Sequence, residues 1–257
     1  MTGFKTLIYE KKNGVAWVTL NRPKARNAFC IQMRDDLFEI LGAIELDDEV
    51  RVVIFRGAGD KAFCAGADLR EFLTAPPPVR ARKVRFERDV WGRLLNLPQP
   101  AIAALHGYVL GSGIEIALCC DIRLASPDAR FGMPEMGLGI IPAAGGTQTL
   151  PRIIGRARAL EMLLTNRWVT AEEAFQFQLV NRVVPKEELF QSAEKMATRI
   201  ASFDPLAVRY AKQAITRGMD LSLSDGLNLE GLLAGALKKE NTMRCGDAKH
   251  SEEKGSG

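Results

Sequence analysis

Two glutamates twenty residues apart carry the chemistry most open to this chain: Glu115, in Gly111-Ser112-Gly113-Ile114-Glu115, and Glu135, in Phe131-Gly132-Met133-Pro134-Glu135. Glu115 stands between the apolar runs Pro100–Leu105 and Ile116–Cys120, which places it in the first turn of a largely apolar helix. A carboxylate there is costly unless it has a partner or a task. Two such groups at one reactive centre can divide acid and base work, because repulsion and unequal burial push their proton affinities apart. Taken alone, the pair reads more readily as a helix-start carboxylate favoured by the dipole and a solvated loop residue. The glycines around them shift that balance.

Ala65-Gly66-Ala67-Asp68 follows the Val52 strand, Gly107 through Gly113 follows the Ala101 strand, and both lead toward helices. Main-chain N–H groups at such turns are unpaired donors, and two that converge can hold the oxygen of an activated carbonyl as negative charge develops. Other glycine motifs fail. Gly111-Ser112-Gly113 is not a nucleophile elbow, since Leu110 and Ile114 occupy the flanking glycine positions, so Ser112 is a poor nucleophile. Gly137-Leu138-Gly139-Ile140-Ile141-Pro142 misses the last position of the dinucleotide fingerprint, and no phosphate-binding G-x-x-x-x-G-K-[ST] occurs. His106, without a paired nucleophile, reads as a hydrogen-bonding residue at a strand end.

The elements that must position these residues are legible in part. Thr6–Glu10 and Val15–Leu20 flank Lys11-Lys12-Asn13-Gly14, a hairpin signal. Met33, Leu37, Ile40, Leu41 and Ile44 recur at helical spacing between Gln32 and Glu45. Val52–Phe55 and Ala101–Leu105 are short continuous apolar runs that suit strands buried on both faces, giving a layered α/β arrangement. After Pro76-Pro77-Pro78 the spacing predicts a basic amphipathic helix over Val79–Trp91, its arginines forming a solvated face. Met136–Thr147 is glycine-rich and reads as a loop that wraps a site. Helices are expected over Ala171–Gln176, Lys186–Ala201, Pro205–Thr216 and Ser222–Leu237, followed by a frayed polar end.

The chain has 257 residues, 47% of them hydrophobic, enough for a substantial core, and a net charge of +4 that argues against a general nucleic-acid or membrane binder. No secretory core or membrane-length apolar run is present, so a cytoplasmic protein is expected. Five scattered cysteines without C-x-x-C spacing, and two histidines, point away from a disulfide scaffold or metal site. Cys119 and Cys120 read as packing thiols.

From about Asn21 to about Pro185 the sequence resembles the crotonase, or enoyl-CoA hydratase/isomerase, superfamily. The resemblance rests on Asn21–Ala28, Ala62–Leu69, His106–Glu115, and Phe131–Glu135 with Gly145-Gly146-Thr147-Gln148, in that order. It implies a crotonase-like spiral of ββα units over residues 1–185 holding the active site, and a helical oligomerisation segment over 186–257. It also implies a homotrimer or homohexamer acting on acyl-CoA thioesters without a cofactor, coenzyme A being part of the substrate. The N–H groups of Ala67 and Ser112 match the positions that polarise the thioester carbonyl. Lys24, Ala25, Ala65, Ala67, Asp68, Leu69, Arg70 and Ser112 match those that line the CoA and substrate site. Glutamates at both 115 and 135 match the hydratases, which add water to a 2-enoyl thioester, whereas double-bond isomerases typically keep only the second. Isomerisation, and hydration of a cyclic or dienoyl thioester, use the same oxyanion hole. An RNA-binding member using Arg80–Arg93 is a further alternative, against which the glutamate pair argues. Two departures stand out: Pro142-Ala143-Ala144-Gly145-Gly146 in place of the frequent Pro-Gly-Ala-Gly-Gly, and the ending Lys238–Cys245 in place of a Glu-Gly, an aromatic and a Lys-Arg run.

Overall fold

The structure is a computed structural model that describes residues 3–72 and 87–254. Two compact units divide the chain, Met1–Ala201 and Ser202–Gly257.

The first unit opens with β1 (Leu7–Lys12) and β2 (Val15–Leu20), paired antiparallel from Lys12↔Val15 to Leu7↔Leu20. Lys11 and Lys12 belong to the strand, so the turn is Asn13-Gly14 alone, at φ 51° and 76°. Two consecutive left-handed residues are what a two-residue hairpin of right-twisted strands requires. The strands that follow alternate between two sheets. β3 (Val52–Gly57), β5 (Ala101–Leu105) and β7 (Ile122–Ala125) add in parallel beside β2, and β10 (Arg182–Val183) closes that sheet in the order β1-β2-β3-β5-β7-β10. β4 (Ala62–Cys64), β6 (Tyr108–Leu110) and β8 (Arg130–Gly132) run parallel in a second sheet, edged by antiparallel β9 (Val169–Thr170). Each turn of this spiral lays one strand in each sheet and returns through helical chain.

The continuous apolar runs of β3 and β5 follow from burial on both faces. Val53, Phe55, Ala101, Ala103 and Leu105 face the main core with Met33, Leu37, Leu41 and Ile44 of the Ile31–Leu46 helix. Val52, Ile54, Ile102 and Ala104 face Leu189, Ala193, Ala197 and Ala201 of the Leu189–Ala201 helix. That small-residue stripe lets the helix lie close on the sheet. This helix is the last element of the first compact unit, which ends at Ala201. Lys186–Glu188 form a 3-10 turn ahead of this helix.

Several sequence expectations are corrected here. The turns at Gly66 and Gly111 do not follow β3 and β5 directly, because β4 and β6 intervene. Three-residue strands are too short for a period-two signal. The loop read over Met136–Thr147 gives way at Gly146 to the helix Gly146–Ile154, and the helix Arg156–Leu164 follows it. Of the helix expected over Val79–Trp91, residues 79–86 lie outside the described residues. Asp89 ends it, since its side chain accepts from Gly92 N at 2.9 Å and caps a new helix, Val90–Leu95. Arg93 donates to Phe38 O at 2.8 Å and Arg88 pairs with Asp35 and Glu39.

In the second unit Asp204 caps the Pro205–Gly218 helix by accepting from Ala207 N, with Pro205 at the first position. The last helix runs from Leu223 to Lys254. It extends into the polar end where fraying was expected, and no proline interrupts it. No helix among the described residues is long and apolar enough to cross a membrane.

Candidate active site

Three loops leave the second sheet side by side. β4, β6 and β8 are parallel neighbours, so the segments after Cys64, Leu110 and Gly132 emerge at one edge of the sheet. Those segments carry Ala67, Ser112 with Glu115, and Glu135. Carboxyl ends of parallel strands are where α/β folds hold ligands, and here the spiral turns three distant motifs into neighbours.

The first two loops touch. A Cβ built on Gly66 would lie 3.3 Å from Leu110 O, and one on Gly111 would lie 3.6 Å from Gly66 Cα. Phe29 N donates to Gly66 O and Asp68 N to Phe29 O, both at 2.8 Å, so the main chain at Ala67 pairs with Phe29 through its neighbours. The N–H of Ala67 itself faces the other way. Gly111 has φ 47° and ψ −116°, a conformation open to glycine, and it starts the Ser112–Cys119 helix. Ser112 is the first helical residue, so its N–H has no intrahelical acceptor. Neither N–H is taken up by main chain among the described residues. Two touching turns therefore present two available donors.

Glu115, 3% exposed, is buried in that helix. Its Oε1 accepts from Ala144 N at 3.0 Å and Gly146 N at 2.9 Å. The second donor belongs to the start of the Gly146–Ile154 helix, where the dipole favours an anion. A Cβ on Gly146 would sit 3.0 Å from Oε1, so glycine there allows the approach. The sequence offered no sign of these two donors beyond the Gly145-Gly146 pair. Ala143 is not among the left-handed residues, so the loop accepts alanine where glycine is frequent in the family it resembles.

Glu135 begins differently. It lies in the 3-10 turn Pro134–Leu138, half-buried, and its Oε2 is shielded from solvent without a hydrogen-bond partner among the described residues. Burial raises its pKa above the ordinary carboxyl value. A Cβ on Gly111 would stand 2.7 Å from its Oε1, which puts this carboxyl group against the turn that carries Ser112 N–H.

The Lys24 and Ala67–Arg70 segments are also joined. Lys24 and Ala25 form the 3-10 turn Pro23–Ala25, followed by left-handed Arg26 and Asn27. Ala65 N donates to Arg26 O at 3.1 Å. Fully buried Asn27 donates to Ala58 O and Ala62 O and accepts from Arg22 N. Asn27→Ala leaves these buried groups unpaired and is expected to cost about 2–4 kcal/mol, read by urea denaturation. Lys24, Leu69 and Arg70 are exposed, whereas Asp68 is buried and faces inward. Arg70 grips it through Nε at 3.0 Å and Nη2 at 2.9 Å, and Arg22 Nη2 at 2.8 Å. Arg70, then Arg22, hold its carboxyl well below the usual range. A depressed native pKa supplies stability above the ordinary value, about 4, that is lost as pH falls. Asp68→Asn is therefore expected to lower the urea midpoint most at pH 7, with the gap closing between pH 4 and the acid end of the titration.

His106 is placed apart from these groups, its Nε2 3.0 Å from Gly59 O and its ring edge-on to Phe190. Burial lowers its pKa. Cys64 is fully buried behind Gly66, its thiol pushed up to about 12 by burial, and Cys119 is likewise raised. Both are packing thiols.

A family model described as enoyl-CoA hydratase/isomerase matches residues 10–256. The chain is 45% identical to the putative enoyl-CoA hydratase/isomerase YngF of Bacillus subtilis over 89% of its own length and 88% of that protein's. It is 45% identical to a short-chain-enoyl-CoA hydratase of Clostridium acetobutylicum, over 87% and 86%. A crystal structure of an enoyl-CoA hydratase from Bacillus anthracis superposes with a TM-score of 0.88 at 38% identity, over 97% of both chains. The chain belongs to the enoyl-CoA hydratase/isomerase family and has the crotonase fold.

Proposed function

We propose that the protein adds water reversibly to the double bond of a 2-enoyl-CoA thioester, giving the 3-hydroxyacyl-CoA. The observation that carries this reading is the gathering of two carboxyl groups of unlike environment around a turn whose N–H groups await an acceptor. The thioester oxygen lies between Ala67 N–H and Ser112 N–H, which stabilise it as enolate charge develops. Glu115, held in one orientation by two main-chain donors, directs a water to the β-carbon and takes its proton. Glu135, whose burial favours the protonated form, gives a proton to the α-carbon. Both roles use the chain's own groups, and coenzyme A enters only as part of the substrate.

Exposed Lys24 and Arg70, the latter braced by Asp68, offer cations to the phosphates of CoA beside Ala25, Ala65 and Leu69. Arg88 and Arg93 are engaged with the Ile31–Leu46 helix, which weighs against the basic stretch as an RNA surface. The second unit exposes Ile215, Met219, Leu223, Leu227 and Leu232, supporting a helical segment buried between copies in a homotrimer or homohexamer. Light scattering at the mass of one 28.3 kDa chain would overturn that assembly.

The decisive experiment follows the ultraviolet absorbance of crotonyl-CoA as water adds. Wild type is expected to remove it rapidly, and Glu115→Gln and Glu135→Gln to slow it by about 10²–10⁴-fold. Tight acyl-CoA binding without any absorbance loss by the wild type would sink short-chain hydration and favour an isomerase or a ring-bearing substrate.

A further inference from the structure

The turn that carries Glu135 has little of its own to hold it. It is a 3-10 segment of five residues, Pro134–Leu138, without a side-chain cap at its start and ending at left-handed Gly139. Such short segments have poor internal hydrogen-bond geometry, yet a proton donor must be placed to within about half an ångström.

An asparagine from a distant part of the chain spans this turn. With the Asn166 amide oriented so that both of its polar atoms are satisfied, the one assignment the neighbouring donor and acceptor allow, Nδ2 donates to Met133 O at 3.2 Å and Oδ1 accepts from Gly137 N at 2.9 Å. Met133 and Gly137 bracket Glu135 by two residues on each side, so one side chain fixes both ends of the turn. A Cβ on Gly137 would overlap that amide, so glycine at 137 is what lets Asn166 come so near.

Asn166 is itself held in place. It follows Thr165, the residue closing the Arg156–Leu164 helix, and adopts φ 56°. Asparagine tolerates that left-handed position, which glycine more often fills. Next to it Arg167 pairs with Glu161 and Glu173, Trp168 lies over Gly132 and edge-on to Tyr108 at 5.9 Å, and Val169 pairs with Phe131. The loop 166–168 thus runs alongside the exit of β8 with its ends anchored.

We infer that Asn166 is a positioning residue for the proton-donating carboxyl group of Glu135, acting through the main chain at Met133 and Gly137. The inference rests on the hydratase reading above for its consequence in turnover, and on geometry alone for the clamp. A purely structural role as a helix-end residue predicts something different: glycine at 166 would serve as well or better, because it keeps the left-handed backbone.

Asn166→Gly separates the two. The clamp predicts that Gly137 N–H loses protection from hydrogen exchange and that the Glu135 carboxyl, followed by 13C NMR titration, moves back toward the ordinary carboxyl range as the turn opens to water. With crotonyl-CoA, kcat is expected to fall about 10–100-fold with KM within twofold, up to the scale of ångström-level misplacement. Asn166→Asp keeps the acceptor for Gly137 N and loses the donor to Met133 O, and is expected to restore the exchange protection in part. Unchanged exchange and coincident Glu135 titrations in wild type and Asn166→Gly would overturn the clamp. Changed exchange with kcat preserved would overturn positioning. A wild type inactive on crotonyl-CoA overturns the hydratase reading instead, and the two NMR readouts still decide the clamp.

Discussion

Glu135→Gln is expected to cut hydration of crotonyl-CoA by about 10²–10⁴-fold while raising the thermal stability of the folded protein at pH above the folded titration of Glu135. Both effects have one cause. The Glu135 carboxyl is half-buried, with one oxygen shielded and unpartnered among the described residues, and its pKa is raised by burial. A group whose folded pKa lies above its unfolded value supplies stability at low pH that is lost as pH rises through the folded value. The wild type therefore carries an ionised, poorly solvated carboxylate at the upper end of that window, and glutamine removes the charge while keeping the shape. An unsatisfied buried group costs more when charged than when neutral, and half exposure keeps that difference small, about 1 kcal/mol. That corresponds to about 2–4 °C in melting temperature for a chain of this size. Melting curves at pH 5 and pH 8 check the sign: the two proteins should nearly coincide at the lower pH and separate at the higher. A mutant that melts below the wild type at pH 8 would contradict the account of Glu135 as a group kept at a cost for its proton. Glu115→Gln is expected to lack any such gain, since Glu115 already receives two main-chain donors.

Gly111→Ala is the second large effect. At φ 47° and ψ −116° alanine is strained whatever the space around it, at a cost of about 1–3 kcal/mol. Its methyl would stand 2.7 Å from Glu135 Oε1, inside contact distance, so the carboxyl must move. The same residue fixes where Ser112 N–H points, and its own N–H links to Gly132 O at 2.9 Å at the exit of β8. One methyl therefore disturbs the Ser112 N–H and the Glu135 carboxyl together, the two groups proposed above as oxyanion donor and proton donor. A loss of at least about 10²-fold in kcat is expected, since removal of one such donor alone has that size. Crotonyl-CoA hydration measured on protein shown to be folded by its melting curve would decide it; retention of more than a tenth of wild-type kcat would mean that neither group is placed by Gly111.

The sequence made some of this legible and hid the rest for physical reasons. Asn13-Gly14, the apolar spacing from Met33 to Ile44, and the runs at Val52 and Ala101 are local signals, and the structure shows a hairpin, a helix and two doubly buried strands there. Strands β4, β6 and β8 are three residues each and exist because parallel neighbours pair with them, which no local pattern reports. Gly146 misled by type: it opens a helix rather than a loop, because a side chain there would crowd the Glu115 carboxylate. The two glutamates and the two turns were singled out from residue types and from likeness to a family. That Glu115 would rest on Ala144 and Gly146 N–H, and Asp68 face inward to Arg22 and Arg70, depends on side-chain packing between segments far apart in the chain.

The two N–H groups offered by Ala67 and Ser112 belong to the main chain, so no codon specifies them directly. Mutation can exchange the side chains at those positions, and selection on the donors will barely register it. What heredity must guard instead is the set of glycines that bend the chain, and the two glutamates. On the hydration reading proposed above, a lineage that loses one glutamate would keep a site that still grips and activates a thioester, which leaves the scaffold ready to take up another reaction on the same class of substrate.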